Sequence, residues 1–440
     1  MTGGSSRLSI EFEDNLIINE EAPYSRSTTP PACLLIDVGS TIIKGLIVGK
    51  DGSLTNVFRG RRLDKPISDR VDELIELSGE AEDIRICSSA NGGLSVGILS
   101  LGRQLSGSTA QRGIQAVGAN VHFLSGWRAP VAEWPLTVDM LIIVGGISSY
   151  SARNVVKGLN HLDIGPYKFD RLVYAGHPAG VPVVQRRWPE VAIVGNMLGE
   201  ELAPSSSSLP DYVRATYLDD IESKADIVPL ADRSSVAIEP TPAIVSRAFK
   251  RLQSRLTSPA IIVDVGGATT DLHFNAELVD EQATTGRLNS FPSIGRHVNT
   301  AYGVYESRTS TISALLADKH TVDLLFKFYG QHYREVYARL LDGEIEEKLL
   351  FVACIFLSLR DVLTGMNGAP SLLLSRLSTF GLTGGASQRI DENDLRRVIE
   401  AAVGHKHNGQ VVVDRCYRWW AMGILDDATI TEQTWKDCDV

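Results

Sequence analysis

The chain has 440 residues, of which 43% are hydrophobic and 22% charged, an ordinary globular composition that supports two or more domains around separate cores. Its formal net charge of −10, from 53 acidic and 43 basic residues, gives no electrostatic attraction to polyanions, so neither nucleic acid nor an anionic membrane surface is an expected partner. Five dispersed cysteines (Cys33, Cys87, Cys354, Cys416 and Cys438), with no CxxC pair, exclude a disulfide framework or zinc site and read as reduced thiols of a cytoplasmic protein.

Residues 1–31 are polar, carry acidic groups where a secretion signal needs a basic start and an apolar run, and end in Ser-Thr-Thr-Pro-Pro. They read as a flexible tail, and the fold is expected to start near Ala32. Residues 33–36 form a short apolar strand, Asp37-Val38-Gly39-Ser40-Thr41 a turn, and Ile42–Val48 a second strand. Lys50-Asp51-Gly52-Ser53 turns the chain toward a third. Further strands are expected at 84–87, 140–144 and 191–194, each followed by a glycine-containing turn. A loop with Pro204 and four serines follows at 203–209, then a helix over 240–256.

At Ala260 the opening pattern recurs: Ile261-Ile262-Val263 as strand, Asp264-Val265-Gly266-Gly267-Ala268-Thr269-Thr270-Asp271 as turn, and Leu272-His273-Phe274 as continuation. Asp264 lies 227 positions after Asp37, about one domain length, so two homologous halves explain the chain better than a short-period repeat. The apolar run 349–359 is about ten residues long and stops at Arg360 and Asp361, where a membrane span needs ~20; a buried core helix is expected.

Small residues let backbone N–H groups approach an anion, and hydroxyls add donors. A carboxylate beside phosphate is tolerable only with a divalent cation, Mg²⁺ reached through water, between them. Either loop alone could equally be a tight hairpin in which glycine supplies positive φ and aspartate bonds its own turn. Two copies between apolar strands, a domain apart, favour a phosphate grip from both sides.

These residues resemble the actin/Hsp70/sugar-kinase superfamily, with LLIDVGSTIIKGLIV similar to its first phosphate loop and IIVDVGGATTDLHF to its second. The resemblance implies an α/β fold of duplicated ribonuclease-H-like domains, the actin-like ATPase fold, around a nucleotide cleft. It places a flexible tail at 1–31, an N-terminal domain with insertions at 32–258 and a C-terminal domain at 259–440. Ser378-Thr379-Phe380-Gly381-Leu382-Thr383-Gly384-Gly385-Ala386 is similar to the superfamily's adenosine motif, and Trp420-Ala421-Met422-Gly423 to its hinge helix. Implied nucleotide contacts are Gly39, Ser40, Thr41, Lys44, Gly266, Gly267, Ala268, Thr269, Gly384 and Gly385. Asp37, Asp264 and Asp271 are the implied catalytic and metal-shell carboxylates, and ATP and Mg²⁺ the implied cofactors. Lys44 is expected either to neutralise phosphate charge or to face solvent.

Ile86-Cys87-Ser88-Ser89-Ala90-Asn91-Gly92-Gly93-Leu94 resembles a segment of the glutamate-mutase accessory family, called MutL-type but unrelated to mismatch repair. Residues 109–121, 139–146, 194–196, 240–243 and 263–273 continue that likeness. It implies an ATP-driven reactivating factor for an adenosylcobalamin-dependent mutase, with a homo-oligomer as one state. Two acidic family segments are replaced here, by Ile147-Ser148-Ser149-Tyr150 and by Ser290-Phe291-Pro292-Ser293-Ile294-Gly295-Arg296. A small-molecule kinase and an actin-like filament protein are the alternatives on the same core. His405-Lys406-His407 reads as a solvated turn and not a metal site, and Trp419 and Trp420 as core anchors before a stacking platform.

Overall fold

The computed structural model describes residues 32–39, 41–50, 52–61, 66–79, 81–89, 94–127, 137–146, 151–198, 209–223, 228–280, 294–366 and 369–425. The expected tail at 1–31, Ser40, residues 90–93 of the family segment, the replaced segments at 147–150 and 290–293, the serine loop at 203–208 and Cys438 lie outside the described residues.

The chain opens with β1 (Cys33–Val38), β2 (Ile42–Val48), β3 (Leu54–Arg61), α1 (Ile67–Ser78) and β4 (Ile84–Ser88). Next come β5 (Ser95–Ser100), α2 (Ser108–Ala116), β6 (Asn120–Gly126), β7 (Thr137–Gly145), α3 (Ala152–His161), β8 (Lys168–Gly176), α4 (Val181–Arg187) and β9 (Ala192–Ile193). Helices α5 (Leu209–Ser223) and α6 (Val228–Ala231), strand β10 (Glu239–Pro240) and α7 (Thr241–Leu252) lead into β11 (Ala260–Val265), β12 (Thr270–Asn275) and β13 (Ile294–Asn299). The remainder is α8 (Arg308–Ala317), α9 (Thr321–Tyr329), α10 (Tyr333–Leu341), α11 (Glu347–Thr364), β14 (Thr379–Gly384), α12 (Glu392–Val403), β15 (Gln410–Val413) and α13 (Trp419–Ile424).

Two of the three sheets repeat one plan. Their orders are β3-β2-β1-β4-β10 and β13-β12-β11-β14-β15. In each, the first three strands are antiparallel and the last two join in parallel. This is the duplicated ribonuclease-H-like plan of the actin-like ATPase fold. The third sheet, β6-β5-β7-β8-β9, is wholly parallel and lies in sequence between β4 and β10. Residues 140–144 read correctly as strand, of the expected strand 191–194 only Ala192–Ile193 forms one, and nothing in their pattern assigned either to a separate sheet.

Both faces of β1 and of β11 are covered, which is why each reads as a continuous apolar run. Leu34, Ile36 and Val38 join a core shared with Val96, Ile98 and Ile142 of the parallel sheet, while Cys33 and Leu35 face Ile244, Val245 and Trp420. In the second half Ile261, Val263 and Val265 meet α11, and Ala260 and Ile262 meet Phe249, Trp419 and Met422. Helices α7 and α13 therefore lie between the two repeated sheets. Gly423 permits their close approach, since a Cβ there would stand 1.9 Å from the Ile244 carbonyl oxygen. The helix expected over 240–256 ends at Leu252, four residues early. The apolar run 349–359 is indeed interior to α11 and buried throughout. Among the described residues no helix is long and apolar enough to cross a membrane.

Candidate functional site

Each repeated half carries one turn between its first two strands, and the two turns are closed by the same bond. Gly39 N–H donates to Ile42 O at 2.9 Å, and Gly266 N–H donates to Thr269 O at 2.9 Å. The turns meet: a Cβ built on Gly267 would stand 1.9 Å from Thr41 Oγ1. Glycine at 267 thus allows the loops to touch, and Gly267 is not among the positive-φ glycines.

The second loop is held from one side by the segment after β13. Val304, Tyr305 and Glu306 N–H groups donate to the Gly266 and Gly267 carbonyls, and Ser307 Oγ donates to Ala268 O at 2.6 Å. In a trans peptide the N–H points opposite to the C=O of the same plane. Fixing the carbonyls of 266–268 toward this buttress therefore turns the N–H groups of Gly267, Ala268 and Thr269 away from it. Gly303 makes room for this contact, with a Cβ there falling 2.5 Å from Gly267 O.

The carboxylates differ in state. Asp37 is 1% exposed and accepts from Lys44 Nζ at 2.9 Å, from Thr241 Oγ1 at 2.7 Å, and from the Cys87 thiol at 3.5 Å. Burial and the Asp37 charge push the Cys87 thiol well up, so it remains a protonated donor. Asp271 is paired with the buried Arg296, whose Nε donates to it at 2.9 Å, and accepts from Thr269 Oγ1 at 3.2 Å. Asp264 is different: among the described residues no side-chain hydrogen bond reaches its carboxylate. Desolvation, then Asp271, and more weakly Asp37 and Asp414, raise it from 3.8 to about 7, against a lowering by Lys44.

Lys44 and Asp271 occupy equivalent places, each opposite its loop aspartate in the β1–β2 or β11–β12 register. The first half thus sets a cation on Asp37 where the second sets a carboxylate beside Asp264. Lys44 is engaged in the interior of the site, bound to Asp37 and to Tyr417, at 15% side-chain exposure; it does not face solvent.

Gly384 follows Thr383, the register partner of Asp264, at the end of β14. With φ 79 and a built Cβ only 2.2 Å from Asp264 Oδ1, this position accepts no side chain. Gly385 has Phe351 3.3 Å from its own built Cβ. The adenosine-like turn is therefore drawn against the second loop. Thr41, Lys44, Asp37 and the loop 264–271 converge with Gly384, while Ser40 lies outside the described residues.

Sequence reasoning missed Thr241, Tyr417, Thr383 and Asp414 as site residues, and named Arg296 only within a replaced segment. Asp414 is fully buried and accepts from Thr383 Oγ1, Arg418 N–H and Trp419 N–H, each at 2.9 Å, anchoring the start of α13 beside Asp264. Thr241 and Tyr417 reach Asp37 and Lys44 across long sequence separations, and no local signal marks them. The Lys44–Asp271 equivalence, by contrast, was legible as a shared spacing of seven from each loop aspartate. Trp419 and Trp420 are buried core residues, as expected. His405 and Lys406 are exposed, but His407 is buried, so the turn is not solvated throughout. The described residues contain no set of three His, Cys, Asp or Glu side chains placed to hold a metal directly.

A family model described as MutL protein matches residues 33–340, well over half of the chain. No curated protein matches it at a significant level. Among solved structures, a diol dehydratase-reactivating factor in nucleotide-free form is similar at 9% identity and a TM-score of 0.37, over 89% of this chain and 98% of that one. A ROK family glucokinase from Streptomyces griseus, in complex with glucose and AMPPNP, is similar at 12% and 0.34, over 90% and 98%. The activator of the 2-hydroxyisocaproyl-CoA dehydratase from Clostridium difficile, with bound ADPNP, gives 10% and 0.30, over 92% and 96%.

Proposed function

Because the chain belongs to the MutL protein family, we propose that it is an ATP-dependent accessory factor that reactivates an adenosylcobalamin-dependent mutase such as glutamate mutase. The observation that carries the nucleotide half of this reading is the contact of Thr41 with Gly267, which sets two equivalent loops face to face. The N–H groups of Gly267, Ala268 and Thr269, turned from their buttress, supply donors to phosphate from one side. From the other side Ser40 and Thr41 would supply them, while Gly39, an expected donor, has its N–H already given to Ile42 O. Gly384 and Gly385, packed against Asp264 and Phe351, hold the adenosine-like turn beside the second loop, where it would meet the nucleoside end.

Hard carboxylate oxygen suits Mg²⁺. Asp37 and Asp271 are already neutralised by Lys44 and Arg296, so Asp264 is the carboxylate that would meet the ion through its water shell. The ion, when bound, would offset phosphate charge that Asp264 alone would repel. Asp264 is also the carboxylate that would orient the attacking water. Helices α7 and α13 join the two halves behind the loops, so a change in loop spacing on hydrolysis would be felt between the halves and passed to a docked partner.

The test is recovery of an inactivated mutase. Activity should return only with this chain, ATP, Mg²⁺ and free adenosylcobalamin together, and should not return with a non-hydrolysable ATP analogue. Recovery with no nucleotide present would rule out the ATP-driven scheme.

A further inference from the structure

Tyr417 is the one non-glycine residue with positive φ, 52°, among the described residues. For a bulky aromatic side chain this backbone is strained, and such strain persists only where the surroundings hold it. The surroundings are specific. The backbone is tied by Tyr417 N–H donating to Asp414 O at 3.1 Å and by Trp420 Nε1 donating to Tyr417 O at 3.0 Å. Its side chain, from the second half, reaches Lys44 of the first. Lys44 Nζ sits 3.7 Å from the Tyr417 ring centroid and also donates to the Tyr417 hydroxyl.

Lys44 has a long, rotamer-rich side chain, costly to hold in one place unless several contacts hold it together. Here the ring, the hydroxyl and Asp37 do so. An ammonium has three N–H donors, of which Asp37 and Tyr417 take two. We propose that Tyr417 is a positioning residue that preorganises Lys44 to give its remaining N–H to a phosphate oxygen of the bound nucleotide. The inference rests on the ATP-binding reading above and assigns the determinant of affinity within that site. It also gives a reason for a strained tyrosine at the entry to α13, since from there its side chain, in the second half, reaches Lys44 of β2 in the first.

The experiment is a double-mutant cycle on ATP affinity, read by calorimetry on the full chain in Mg²⁺. Tyr417→Asn removes the ring with a residue that tolerates this backbone, and should weaken ATP binding about tenfold. Tyr417→Phe retains the ring and loses only the hydroxyl, so the loss should fall to about threefold. In a Lys44→Met background, Tyr417→Asn should cause no further loss, because the tyrosine acts through the lysine. Thermal melts of each ligand-free variant separate folding from binding, and a purely structural tyrosine would lower the melting point with no coupling to Lys44. Independent, additive losses, or wild-type affinity in folded Tyr417→Asn, overturn the assignment. Absence of ATP binding by the wild-type chain overturns the proposed function itself.

Discussion

Asp264 and Gly267 show how one side chain can be set against stability or against space. The Asp264 carboxyl is raised above its unfolded value of 3.8 to about 7, so the folded protein holds that proton more tightly than the unfolded chain does. The associated stability is fully present below about pH 4 and is lost as pH rises toward 7. Replacement by a neutral isostere should reverse this. Asp264 keeps some contact with solvent, which screens its charge, so Asp264→Asn is expected to stabilise the ligand-free protein at pH 8 by on the order of 2 kcal/mol, with the gain gone by pH 4. Melting temperatures across that range check it, and the same variant should lose most ATPase activity. Gly267→Val should abolish nucleotide-dependent stabilisation for a spatial reason. Its side chain would occupy the place of Thr41 Oγ1 and force the loops apart, while positive φ plays no part at this position. A nucleotide-induced melting shift equal to wild type in Gly267→Val would remove the loop contact from the site.

Elements far apart in sequence are joined by single polar bridges, and β13 gives the clearest case. Arg296 on this strand is 3% exposed, pairs with Asp271 of β12, and donates through Nη1 to the Gln115 carbonyl of α2 at 2.9 Å. Removing one partner of such a buried pair leaves the other charge uncompensated, which typically costs about 3–5 kcal/mol, whereas replacing both by apolar groups can be nearly neutral. Arg296→Met should therefore destabilise strongly, and Arg296→Met with Asp271→Leu should recover much of that loss. Urea denaturation midpoints of the three proteins decide it. Equal destabilisation in the single and double variants would mean that the Gln115 contact, not the ion pair, holds β13 in place.

At the scale of the molecule, two halves of the same topology touch at their loops and are backed by α7 and α13 between their sheets. A ligand that bridges the loops binds the folded protein alone, so ATP with Mg²⁺ should raise the melting temperature. At 100 times its dissociation constant the stabilisation is about 2.7 kcal/mol. Excess chelator should remove most of the shift, because Asp264 without a cation repels the phosphates. A shift of the same size in chelator would exclude the metal from nucleotide binding.

The repeat was legible in the residues because a strand buried on both faces is written as an apolar run and a turn that approaches an anion is written in glycine, serine and threonine. Local physics sufficed to mark Asp37 to Thr41 and Asp264 to Thr270 as matching turns, and the 227-residue spacing made two halves of them; Gly384-Gly385 was marked only by the family resemblance. The states of those residues were not legible. Whether Asp37 and Asp271 are tied and Asp264 is not depends on Lys44, Thr241 and Arg296, which come from β2, α7 and β13. The parallel sheet was hidden for a related reason: short strands such as 192–193 carry too little pattern to declare their neighbours. Sequence determined where two matching glycine-bearing turns fall between apolar strands, since that is a property of neighbouring residues. Only the tertiary structure decided which charges are cancelled, because a charge is cancelled by whatever packs within a few ångströms of it, however distant along the chain.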